Sequence, residues 1–212
     1  MKKNTLFRAA FIAICTTAFL SCKEEPKPEK QETHEMHGSN ETEDASEYAE
    51  MVNDGKIKTD TMKGSPERYA MVLLDKTHLH IAYFSPGVKE RVIWGGLVPY
   101  GKVWVSGAHH ATTLEINHAV KIQDKVVSPG KYAFFTIPGK EKWIVILNKN
   151  ADQHLTDEYD EKLDVARFEV IPQSVERSVP RLTYKVATTG ETEGTVTLEW
   201  EKIKIALPFS QG

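Results

Sequence analysis

From Tyr69 onward the chain is a succession of short segments rich in β-branched and aromatic residues: HLHIAYF, ATTLEIN, KYAFFTI, KWIVILN, VARFEVI, RLTYKVA and TVTLEW. Alternation sends successive side chains to opposite faces of a strand, so each segment has an apolar face too small to bury alone. Such segments must pair into sheets. Turn residues fall between them, as SPG at Ser85 to Gly87 and again at Ser128 to Gly130, IPGK at Ile137 to Lys140, and TTGETEG at Thr188 to Gly194. That punctuation belongs to an antiparallel sandwich or barrel. The expected fold is all-β, an antiparallel β-sandwich of jelly-roll type over residues 62–212. The polar stretch from Asn150 to Asp164 is expected to be a loop with a short helix.

The N-terminus obeys other rules. Met1, Lys2, Lys3 and Arg8 precede an apolar run from Ala9 to Leu20, a positive region and a hydrophobic region too short to span a bilayer comfortably. Residues 1–21 therefore read as a signal peptide. Ser21 precedes Cys22, the order expected where a lipoprotein signal peptidase cuts before a cysteine that becomes acylated. The other cysteine, Cys15, lies in the segment that would be removed. The mature protein would then have no disulfide, and its partner at this end would be a membrane, reached through lipid on Cys22. Lys23, Glu24 and Glu25 resemble an export signal to the outer face of the outer membrane; an outer-membrane location is expected, with either face open.

Between Lys23 and Asp60 twelve acids stand against five lysines, a net of −7. Residues 22–61 are therefore expected to be the lipidated cysteine and a disordered acidic tether. The remainder is nearly charge-balanced, with no basic stripe for nucleic acid.

Several longer stretches resemble a known family. IAYFSPGVKERVIWGGLVPYGKVW, GAHHATT, VVSPGKYAFFTIPGKEKWIVILNK and TVTLEWEKIKIALP are similar, in order, to the domain-of-unknown-function 2911 family of exported bacterial β proteins. The resemblance implies the β fold and no particular activity. It also implies departures. Where the family pattern has Tyr-Ser-Arg-Pro, this chain has Tyr83, Phe84, Ser85 and Pro86; where it has Trp-Arg-Thr-Gly-Ala-Asn-Glu-Ala-Thr, this chain runs from Trp104 to Thr112. Two arginines, an asparagine and a glutamate are replaced by Ser85, Val105, His109 and His110.

Those histidines are the candidate site. If the strand begins near His110, then His110 shares the core face with Leu114 and Ile116, while His109 faces out with Glu115. A bulge near Gly107 could instead aim both rings into one pocket. His78 and His80, at i and i+2 on one strand face, lie about 6 to 7 Å apart along the chain, a spacing that suits two ligands of a zinc or copper site. Parity weakens their union with His110, because Leu79, Ile81 and Tyr83 look like the buried face. His118 and His154 sit beside turns and read as surface residues, and the tail offers HEMHG (His34 to Gly38) as a short imidazole and thioether cluster.

Established catalytic signatures are absent: there is no Gly-x-Ser-x-Gly, no His-Glu-x-x-His and no phosphate-cradling glycine loop. The expected function is a membrane-anchored binding module with a pocket around Trp104, His109, His110 and Tyr83. That pocket would take a small ligand, or zinc or copper through His110, His109, His78 and His80. Two alternatives stand beside it: a hydrolase-type enzyme with His110 as acid or base near Glu115 or Tyr83, and a domain that docks an undetermined envelope protein through a sheet edge.

Overall fold

A computed structural model describes residues 38–212, with side chains from residue 44. The signal-peptide, Cys22 and His34-to-His37 readings lie outside the described residues. In chain order the elements are α1 (Gly38–Asn53), β1 (Glu67–Leu74), β2 (Thr77–Phe84), β3 (Thr113–Ile116), β4 (Val120–Ile122), β5 (Lys125–Val127), β6 (Gly130–Ile137), β7 (Trp143–Asn148), β8 (Asp164–Val170), β9 (Gln173–Thr188) and β10 (Glu193–Gln211). The short helix expected in the polar stretch is a 3-10 turn at Glu161–Leu163.

Two antiparallel sheets form a sandwich: six strands in the order β1-β2-β3-β6-β7-β8, and four in the order β5-β4-β10-β9. Alternation does what it promises in β2 and β3, where Leu79, Ile81, Tyr83, Leu114 and Ile116 are buried between the sheets. Leu182, Tyr184, Leu198, Trp200, Leu207 and Phe209 answer them from β9 and β10. In the middle of the larger sheet alternation fails, and Tyr132 to Thr136 of β6 are all buried. The cause is a second cover. Ala133 and Phe135, with Ile146 of β7, form a small outer core with Val105 and Ala111, so this part of the sheet is buried on both faces. The long loop that carries Val105 and Ala111 is thereby fixed to the sheet.

The expectation of a disordered tether through residue 61 is corrected for residues 44–61. The helix α1 packs on β1 and β9 and belongs to the same compact unit as the sandwich. Its apolar face is small, Ala49 and Val52, so polar hooks do much of the docking. The Asn53 amide donates to Arg181 O at 3.0 Å and Thr183 Oγ1 at 2.8 Å, and accepts from Arg181 N at 2.8 Å. Asp60 closes the strap: its carboxylate meets Arg181, whose side chain is 0% exposed, at 2.9 Å through both Nε and Nη2. An acidic, polar composition concealed these long-range partners.

Candidate functional site

The segment from Trp104 to Thr112 leaves the sheet and returns to it. Trp104 exchanges both backbone hydrogen bonds with Thr136 at the end of β6, at 2.8 and 2.9 Å. Ser106 then adopts a left-handed φ of 56°, costly for a residue with a Cβ unless its surroundings fix it. They do. Its hydroxyl donates to Thr136 Oγ1 at 2.9 Å, and its carbonyl accepts from Tyr184 OH at 3.0 Å and Thr112 Oγ1 at 3.2 Å. Burial pushes the Tyr184 phenol well above its ordinary pKa, against the lowering effect of the Ser106 and Thr112 side chains, so it remains a donor. Gly107 is required by close approach, since a Cβ there would lie 2.9 Å from Thr112 Oγ1.

His109 is also left-handed, with φ 59°, and regular strand begins only at Thr113. The expected parity of His110 is therefore wrong. His110 is exposed, not inward with Leu114 and Ile116, and His109 is exposed as well. Both rings lean on Phe84, at centroid distances of 5.3 Å for His109 and 5.8 Å for His110. A neighbouring loop holds them there through Leu155 N to His109 O at 2.7 Å, Ala111 N to Gln153 O at 3.0 Å, and a bridge between His110 and His154.

Beside His109 lies a cavity of about 280 Å³. Leu97, Val98, Trp104, Val105, Leu155 and Trp200 give it apolar walls, with Arg91 and His109 among the polar lining. Trp200 is placed by a register shift in β10 between Glu199 and Glu201, where Glu201 has φ 53°; a bulge of this kind re-aims a strand side chain. Trp104 stacks on Trp200 at 5.7 Å, and Trp94 meets both edge-on at 5.8 and 5.7 Å. The Trp104 indole donates to Gly107 O at 3.1 Å. Among the described residues the buried Trp94 and Trp200 N–H groups have no acceptor.

His110 lines a different cavity, also about 280 Å³, with Glu67, Lys131, Asp152, Phe84 and Thr113. Tyr83 lines neither. It is 1% exposed, tilted against Tyr184 at 4.8 Å and under the Arg68 guanidinium at 5.7 Å. Burial raises its pKa while the Arg68 charge opposes the rise, so the expected roles of Tyr83 as ligand contact or as partner to His110 are corrected to a core role. Glu115 stands on the outer face opposite His80 and Lys131. His78 and His80 are on that face too, ring centroids 6.3 Å apart, with Tyr69 stacked on His80 at 5.4 Å. Among the described residues no three His, Cys, Asp or Glu side chains form a metal-holding group. The expected zinc or copper set of His78, His80, His109 and His110 is thus not assembled.

Sequence reasoning missed Arg91, Leu97, Leu155 and the lining role of Trp200. Arg91 sits in a mixed-charge run and Leu155 in a polar loop, and neither stretch carries a period. A protein-family model described as "Protein of unknown function (DUF2911)" matches residues 65–209. No curated protein and no solved structure matches.

Proposed function

Since the chain belongs to the family of unknown function DUF2911, whose description assigns no activity, we propose on physical grounds that it is a small-ligand binding module tethered to the outer membrane by lipid on Cys22. The cavity beside Trp104 carries the reading. Its volume of about 280 Å³ is at the lower end for small-molecule sites, which are typically concave, mostly apolar and furnished with a few polar groups. Trp104 and Trp200 would supply contact area, and Arg91 and His109 the polar edge. The order of Ser21 and Cys22 after an apolar run supports the anchor.

The test is a ¹H–¹⁵N spectrum of the mature chain, in which each tryptophan indole gives a separate signal. Small aromatic alcohols and acids should move the Trp104 and Trp200 signals saturably, and Val98→Trp, which fills the cavity, should abolish the effect. No saturation below about 1 mM, roughly 4 kcal/mol of binding, in any probe would overturn the reading.

One observation favours a second reading, acid–base catalysis, because His110 shares its cavity with Glu67, Asp152 and Lys131. Against it, among the described residues no hydrogen bond joins His110 to either carboxylate. Ester or amide hydrolysis that disappears in His110→Ala would favour this reading over simple binding.

A further inference from the structure

The tryptophan-walled cavity adjoins another. A second hollow of about 250 Å³, lined by Gly64, Ser65, Gly87, Lys89 and Arg91, shares Ser65 and Arg91 with the first. The two therefore adjoin across Ser65 and Arg91, with unlike linings. One end is aromatic and aliphatic. At the other, both charged side chains are cations, and no aspartate or glutamate lines either hollow among the described residues.

The cations are held by carbonyls and not by carboxylates. Lys89 Nζ donates to Met62 O, and Arg91 donates through Nε to Val88 O and through Nη2 to Gly87 O. A carbonyl satisfies a donor without cancelling its charge. The Asp60 carboxylate comes close to this rim, its Oδ2 2.6 Å from where a Gly87 Cβ would be, but its charge is paired with the Arg181 guanidinium. Glu90 lies between the two cations in sequence but lines neither hollow. Lys89 and Glu90 are consecutive left-handed residues, φ 46° and 58°, a turn that brings Lys89 and Arg91 to one rim. Gly64 keeps that rim open, with nothing within 4 Å of the place a side chain would occupy.

Building on the binding reading above, we propose that the ligand is a small amphipathic organic anion. Its apolar, preferably aromatic, body lies between Trp104, Trp200, Val98 and Leu155, and its carboxylate-like end meets Lys89, Arg91 and Ser65. An acid of this class matches both ends, whereas a neutral guest leaves the cations uncompensated and an amine is repelled by them.

The experiment titrates the mature chain with three probes that differ only at one end: phenylpropanoate, phenylpropanol and phenylpropylamine. The acid should bind at least about tenfold more tightly than the alcohol, the equivalent of one charge-assisted hydrogen bond, and the amine should bind more weakly than the alcohol. Lys89→Gln, an exposed change that keeps the side-chain stem and lies outside the tryptophan-walled cavity, should weaken the acid several-fold and leave the alcohol unchanged. Added salt should weaken the acid alone. Equal binding of acid and alcohol would overturn the anion assignment while leaving the cavity reading intact. Failure of all three to bind would overturn both. Loss of alcohol binding in Lys89→Gln would also overturn the assignment, because that cation would then be shaping the apolar end.

Discussion

Replacing Asp60 with alanine tests the strap that joins α1 to the sandwich. Arg181 is 0% exposed and its carboxylate partner 9% exposed, with two contacts of 2.9 Å between them. Removing one member of a buried pair leaves a charge in a medium that cannot solvate it, at a typical cost of 3–5 kcal/mol. Three acceptors would remain on the guanidinium: Met62 O at 2.7 Å, Ser85 O at 3.0 Å and Gly64 O at 3.4 Å. These and the partial opening of the site toward solvent place the loss near the lower bound, about 3 kcal/mol. For a domain of this size that is a fall in Tm of roughly 6–12 °C. Asp60→Asn keeps the shape and one acceptor and should lose about half as much. Urea unfolding followed by near-ultraviolet circular dichroism reads the effect as a lower midpoint at unchanged slope. Adding Arg181→Met to Asp60→Ala should recover part of the loss, since no buried charge then remains. A cost below about 1 kcal/mol for Asp60→Ala would refute the reasoning, because the carbonyls alone would then be enough for Arg181.

Truncation should divide the acidic segment in two: deletion of residues 23–37 should leave the unfolding midpoint within a degree or so, and deletion through residue 61 should lower it by more than Asp60→Ala, with equal midpoints counting against docking of α1. Cys22→Ala should abolish acyl-label incorporation and release the protein from membranes, and label retained in the variant would remove the anchor from the proposal. Above pH 10 the fold should weaken. Burial, then the hydrogen bond and charge of Asp164, push the Tyr159 phenol up to about 12, so the unfolded chain releases this proton first. The associated stability is intact below pH 10 and is lost as pH rises toward 12. Tyr159→Phe should flatten that part of the stability curve, and an unchanged slope would show that Tyr159 does not contribute.

The sandwich was legible because its strands are locally consistent. In β2, the order His78, Leu79, His80, Ile81, Ala82, Tyr83 announces one buried face and one outer face, and the structure has both. The same rule misled one residue outside its range. His110 lies three positions before β3, where regular strand has not yet begun, so parity counted back from Leu114 does not apply. The cavity was half visible. Trp104 stood in a recognisable motif, but Trp200 enters through a bulge, and Leu155 and Arg91 arrive from loops without a period. Least legible was α1, whose buried surface rests on Ala49 and Val52 and whose attachments are single polar side chains reaching a distant strand.

That distance has a consequence in time. Asn53 finds its acceptors 128 and 130 residues further along the chain, so in a polypeptide made from its N-terminus α1 exists early and cannot dock until β9 has been made. Contacts of such separation are slow to form and tend to follow the nucleus. Interactions absent from the transition state set the escape rate of the native protein and leave its rate of formation alone. The Asn53 and Asp60 contacts should thus behave as a latch fastened after the sandwich has closed: weakening either should speed unfolding in a stopped-flow experiment, while the refolding limb stays where it was.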